Sequence, residues 1–286
     1  MSACALSACA ADGAVDSVRL LAQQGDAGLA SPRRTCLAGT GGNYLAAGPY
    51  AVKRREIAID GLGSYTVFHP DPLEEGCPHP IVAWGNGTGV RGANLYAEWH
   101  EHAARWGIVT IAAHDPNASS KRFLEGGIDY LLQASARSEG DFAGKLSTRA
   151  GTAGHSQGGE AANIATQHPN VQAEVAVAGY GEAPRPGVAV LCETGSNDFA
   201  NIACTMLAQT AQGPAFLADH QDADHGRPPT SAGRGTPAGD AFLTAYTAWF
   251  RCFLADDQTA CDLFRGDPAP LCSQAAWAQC VGKDIP

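Results

Sequence analysis

The stretch TAGHSQGGEAA, residues 152–162, holds Ser156 on a turn flanked by Gly154 and Gly158. A serine in the pattern G-x-S-x-G, set between a strand and a helix, is lifted above a sheet by a strained turn, and its hydroxyl is then free to act as a nucleophile. Strand and helix must approach closely there, which only small residues allow. The pattern therefore demands a strand before Ser156 and a helix after it. Residues 160–167 carry alanines and Ile164 and read as that helix. Residues 149–153, Arg-Ala-Gly-Thr-Ala, lack the branched apolar side chains of an ordinary buried strand and are the weak part of the pattern.

The surrounding chain supplies a suitable frame. Residues 52–59 and 64–68 read as a hairpin turned by Gly61-Leu62-Gly63. Short apolar runs at 80–84, 107–112, 173–178, 187–191 and 215–217 read as strands. Helical spacing at 95–106, at Phe123, Ile128, Leu131 and Leu132, and at Leu243, Tyr246, Trp249, Phe250 and Phe253 separates them, the last forming the final helix. Alternating strands and helices predict an α/β fold with a mostly parallel central sheet and helices on both faces. Between Ala178 and Val188 lies only GYGEAPRPG, too short for a helical lid.

Serine is a weak nucleophile at neutral pH and needs an imidazole to take its proton, and the imidazole needs a carboxylate to hold its tautomer. On such a sheet the acid and then the histidine follow the serine in the chain. Asp198, just past an apolar strand in LCETGSND, is the expected acid; Glu193 still lies within that strand. His220 and His225 compete as base in LADHQDADHGRPP, and His225, farther into the loop, is the expected one. The backbone N–H of Gln157 is one expected donor to a developing oxyanion. The second is Thr88 N–H, in the glycine-rich GNGTG that follows the strand PIVAW.

With these parts assigned, the chain resembles the α/β-hydrolases, and within them the bacterial cutinase and polyester-hydrolase branch. The resemblance rests on Gly48-Pro49-Tyr50, residues 65–70, the loop 84–89, GHSQGG, and residues 246–264, and spans about 48–264. It implies a serine esterase with an oxyanion hole at Thr88 and Gln157, no metal or cofactor, and an aromatic clamp that falls on Tyr180. Its expected partner is an ester substrate, polymeric esters included, cleaved by a monomer. Lipase or small-molecule esterase is the alternative within the class. Thr88 stands where many polyester hydrolases carry an aromatic residue, and the loop around His225 is long and rich in Gly and Pro, so substrate preference stays open.

Composition sets the remaining bounds. A net charge of −10 argues against nucleic-acid and anionic-membrane partners. No run approaches the roughly 18 apolar residues of a membrane span. The 10 cysteines include no C-x-x-C pair, and neighbours Cys192 and Cys204, Cys252 and Cys261, and Cys272 and Cys280 suggest disulfides, with Cys36 and Cys77 left over. That usage points to export, and with the resemblance it implies a secreted, periplasmic or cell-surface bacterial protein. Leu6-Ser7-Ala8-Cys9 resembles a bacterial lipobox, and residues 1–35 read as a tail, with one catalytic domain over 36–286.

Two other motifs compete. Gly87-Thr88-Gly89-Val90-Arg91-Gly92, with Asp115 downstream, matches the dinucleotide fingerprint G-x-G-x-x-G and would suit a nicotinamide-dependent oxidoreductase. Glu98-Trp99-His100-Glu101-His102 lacks the histidine at 104 that H-E-x-x-H requires, so His100 and His102 are expected on the surface.

Overall fold

The computed structural model describes residues 42–116 and 120–286. Its centre is a nine-stranded sheet in the order β1-β2-β4-β3-β5-β6-β7-β8-β9. The strands are β1 Ala51–Ile59, β2 Gly63–Asp71, β3 His79–Gly85, β4 Val109–Ala113, β5 Leu146–His155, β6 Val171–Val177, β7 Ala189–Gly195, β8 Ala215–His220 and β9 Trp277–Lys283. From β4 through β8 neighbouring strands run parallel. The edges are antiparallel, β1 on β2 and β2 on β4 at one side, β9 on β8 at the other. The helices are α1 Ala97–Arg105, α2 Lys121–Ala136, α3 Gln157–Ala165, α4 Asn201–Thr210, α5 Pro237–Ala255 and α6 Gln258–Asp262.

Both faces of the sheet are covered, because successive side chains of a strand point to opposite sides. In β3, Val82 and Trp84 join the core that includes Trp99 of α1 and Tyr246 and Phe250 of α5. Ile81 and Ala83 join the opposite core, with Ile128 of α2 and Ala161 of α3. A third cluster packs Cys204, Leu207 and Ala208 of α4 onto Val190 and Leu217. Full burial of one large apolar side chain is worth about 1.5–3 kcal/mol, so the aromatic layer Trp84, Trp99, Tyr246, Phe250 and Trp249 is a principal anchor. Helix α5 starts on a capped turn, with Thr236 Oγ1 accepting from Gly239 N–H and Pro237 in the first turn. Beyond its end, Asp257 accepts from buried Arg251 at 2.8 Å and from the Tyr44 hydroxyl at 3.0 Å.

The weak-looking segment before Ser156 is a strand after all. Its small residues are there because both faces of β5 are crowded. A Cβ on Gly151 would stand 2.5 Å from the Phe250 ring, and one on Gly154 would stand 2.2 Å from the Gly158 carbonyl oxygen. Three expected disulfides are present: Cys192–Cys204, Cys252–Cys261 and Cys272–Cys280. Cys77 is disulfide-bonded as well, and Cys36 and the expected tail and lipobox lie outside the described residues. Residues 178–188, joining β6 to β7, contain no helix. No helix among the described residues is long and apolar enough to cross a membrane.

Two expectations are corrected. Helix α5 is followed by the short helix α6, so it is not the final helix. His100 and His102 are buried, not on the surface. The His100 ring stacks on Phe68 and meets Trp84 edge-on, and His102 Nε2–H donates to the Tyr44 carbonyl at 2.7 Å. The segment that carries Tyr44 thus covers His102, while Phe68 and Trp84 cover His100.

Candidate active site

The candidate site forms at the carboxyl ends of the parallel strands, the edge where open α/β sheets assemble ligand sites. Ser156 directly follows β5 and is the N-cap of α3, with φ 57° and ψ −124°. That backbone is rare for a residue with a Cβ and is held only where surrounding packing enforces it. Here the enforcement comes from glycines. A Cβ on Gly158 would lie 2.0 Å from the Gly85 carbonyl oxygen, and one on Gly159 would lie 2.8 Å from Gly179 Cα. Helix α3 is thus pressed against the ends of β3, β5 and the segment after β6, and the turn between strand and helix has no room to relax.

Asp198 lies past the end of β7 and His225 past the end of β8. The His225 ring bridges the other two residues. Its Nε2 is 2.9 Å from Ser156 Oγ and its Nδ1 is 2.8 Å from Asp198 Oδ1. With Nδ1–H donating to the carboxylate, Nε2 is the acceptor for the serine hydroxyl. The Asp198 side chain is fully buried and that of His225 is 24% exposed, so the acid is shielded while the ring still reaches solvent. Asp198 Oδ1 also accepts from Ala200 N–H at 2.8 Å, which fixes the carboxylate against its own turn.

The alternatives weighed for acid and base are elsewhere engaged. Glu193 is buried within β7, where burial raises its carboxyl well above the ordinary range. His220 is the last residue of β8, buried against Trp277 in an edge-on contact, and its Nδ1 accepts from Asp222 N–H.

The loop after β3 is held beside the serine turn. Thr88 Oγ1 donates to the Gln157 side-chain oxygen at 2.6 Å. Neither Thr88 N–H nor Gln157 N–H donates a hydrogen bond to the described residues. Gln157 opens α3, where unpaired N–H groups and the helix dipole favour negative charge. Tyr180 lies past β6, half-buried, its phenol raised by burial and by Glu160. No hydrogen bond or ring contact joins it to Ser156 or His225 among the described residues. The glycines at 87–92 are followed by a 3₁₀ turn, Asn94–Tyr96, before α1 begins, so they do not sit at a helix N-terminus as a pyrophosphate cradle would.

Two residues at the site escaped the sequence reading. His155 Nε2–H donates to the His225 main-chain oxygen at 2.7 Å. Its Nδ1 accepts from the Tyr96 hydroxyl at 3.0 Å, and that hydroxyl accepts from Gly87 N–H at 3.0 Å. Burial pushes the His155 imidazole down to about 4, against the opposing pull of the His225 carbonyl, so it is neutral and can both donate and accept. The Phe199 ring lies 4.0 Å, centroid to centroid, from the His225 ring. The only signals were adjacency: His155 precedes the serine and Phe199 follows the acid.

Compared with known proteins, the chain matches no family model and no curated protein.

Proposed function

We propose that this chain is a serine hydrolase that cleaves carboxylic esters through an acyl-enzyme. The observation that carries the reading is the hydrogen-bonded series Ser156 Oγ, His225 Nε2, His225 Nδ1, Asp198 Oδ1, at 2.9 and 2.8 Å, with the serine on a strained strand-to-helix turn. The three side chains follow one another in the chain as serine, acid, histidine, the order of the α/β-hydrolase arrangement. Packing of the glycines holds the turn at φ 57°, but it does not require that the residue there be a serine facing an imidazole.

In this mechanism Ser156 Oγ attacks the ester carbonyl carbon while His225 Nε2 takes its proton. Asp198 holds the ring and offsets the imidazolium charge. The oxyanion accepts from Gln157 N–H and Thr88 N–H, each such donor being worth about 10²–10³ in rate. The tetrahedral intermediate collapses, the ester C–O bond breaks, and His225 returns the proton to the leaving alkoxide. Water then attacks the acyl-enzyme with His225 as base, and the released acid restores Ser156.

The helix-free connection 178–188 favours large ester substrates of the cutinase and polyester kind, since no helical lid rises from it. The disulfides Cys192–Cys204, Cys252–Cys261 and Cys272–Cys280 support residence in an oxidising compartment, as for an exported protein. The test is labelling with a serine-directed fluorophosphonate, followed by peptide mapping and a p-nitrophenyl ester series run beside a polyester film. Labelling at Ser156 with turnover of the esters is expected. An unlabelled, folded protein that turns over no ester sinks the reading.

A further inference from the structure

Helix α4 sorts its apolar residues onto two sides. Cys204, Leu207 and Ala208 are buried against the sheet. Ile202 and Met206 point outward at 74% and 57% exposure, and Phe199, just before the helix, is 76% exposed. Ile202 and Met206, four residues apart, lie on one face of α4, and Phe199 sits in the turn that leads into the helix, three residues before Ile202. The other large exposed hydrophobics among the described residues, Leu95, Ile164 and Val281, are far apart in the chain. Single exposed apolar side chains need no explanation, whereas a neighbouring set such as this stripe marks a contact surface.

Two facts say what this surface is for. The Cys192–Cys204 disulfide ties the inner face of α4 to β7, so the helix cannot roll to bury the outer face. The stripe also begins at the candidate site, because Phe199 packs on the ring of His225. His225 must deliver its proton to the leaving oxygen, which therefore sits within hydrogen-bond reach of Nε2. The carbonyl oxygen is directed instead toward Gln157 and Thr88. A chain attached to the leaving oxygen thus departs past His225 and onto Phe199.

Resting on the ester-hydrolase reading, we infer that Phe199, Ile202 and Met206 form a track for the alcohol part of the substrate, and that the enzyme prefers esters of medium and long apolar alcohols. Each methylene fully covered by such a track is worth about fourfold in kcat/KM.

The experiment compares the wild type with Ile202→Gln/Met206→Gln, both exposed helix positions outside the catalytic groups. The substrates are ethyl, butyl and octyl acetate, with p-nitrophenyl acetate and p-nitrophenyl octanoate reporting on the acyl side. For the wild type, kcat/KM should rise from ethyl to octyl acetate. The double variant should lose about tenfold on octyl acetate, roughly two methylenes' worth of burial, and stay within twofold on ethyl and p-nitrophenyl acetate. Equal losses on ethyl and octyl acetate, a loss confined to the octanoate, or a wild type indifferent to alcohol length would each overturn the track. So would a wild-type dimer that the double variant converts to a monomer without changing the alcohol-length profile, which would make the stripe a self-association face. A wild type that turns over none of these esters brings down the hydrolase reading itself, and the track with it.

Discussion

His155 Nε2 lies 2.7 Å from the main-chain oxygen of His225, so the residue before the serine supports the backbone of the residue that faces it. Through Tyr96 the same ring reaches Gly87 in the loop after β3. One neutral imidazole thereby ties together the serine turn, the histidine loop and the loop that carries Thr88. Replacing it should loosen their alignment, and small misplacements of reacting groups cost up to about 10²-fold. His155→Leu is expected to lower kcat and the rate of fluorophosphonate labelling by about tenfold to a hundredfold. Tyr96→Phe, which keeps the ring and strips only the hydroxyl, should lower both in the same direction. Unchanged labelling in His155→Leu would reduce the residue to packing.

The serine, histidine and acid should behave as a unit. Ser156→Ala should cost roughly 10⁴–10⁶ in kcat and Asp198→Asn about 10⁴, because the amide leaves the ring in the wrong tautomer. Ser156→Ala/Asp198→Asn should be no slower than Ser156→Ala alone. Ester turnover by the three variants measures this, and additive losses would mean the two side chains act separately.

The serine turn should tolerate no added methyl group. In Gly158→Ala the new carbon would meet backbone at 2.0 Å, where nothing flexible can yield. Overpacking of this kind is expected to cost about 3 kcal/mol or more. Gly61→Ala is the control, since Gly61 has φ +73° but open space around it, and should cost only about 1–2 kcal/mol. Urea denaturation of the two variants compares them directly.

Stability should fall on both sides of a mildly acidic optimum. Burial lowers His100 from 6.5 to about 3, and His102 and His155 to about 4. Between those values and 6.5 the unfolded chain binds more protons, so stability is lost as pH falls through that window. Burial raises Glu174 from 4.5 to about 8. Between those values the folded chain binds more protons, so stability is lost as pH rises toward 8. Buried Glu193, also raised by burial, adds a slope of the same sign. The glutamate and histidine effects oppose each other from 4.5 to 6.5, and above 6.5 the glutamate slopes dominate. Glu174→Gln should lessen the alkaline loss, and His100→Phe, whose ring nitrogens have no partners to lose, should soften the acid side. Melting temperatures from pH 4 to 9 provide the check.

The serine, acid and histidine were legible because each sits on local chemistry that a reader can see: a glycine-flanked turn, and two polar clusters just past apolar runs. Strand β5 was nearly hidden, since its usual signature of branched residues is displaced by the need to admit Phe250 and the Gly158 carbonyl. Strand β9 was invisible for another reason. It is an exposed edge whose order comes from pairing with β8, which no local pattern announces. Helix α4 escaped because its outer face carries Ile202 and Met206 in place of the polar residues that make a helix amphipathic. His100 and His102 were misjudged because burial of a polar ring depends on what packs over α1, here Phe68 and Trp84 for His100 and the segment that carries Tyr44 for His102.

The ring closed by Cys192 and Cys204 has a separation of 12 residues, and Asp198 is at its midpoint. Synthesised where thiols stay reduced, the same chain would carry its acid on an open strap, with Leu207 and Ala208 left to keep α4 seated. On the proposed ester-hydrolase reading, turnover should be lower after reduction of Cys192–Cys204 than before it, because the bond closes the strap that carries the acid.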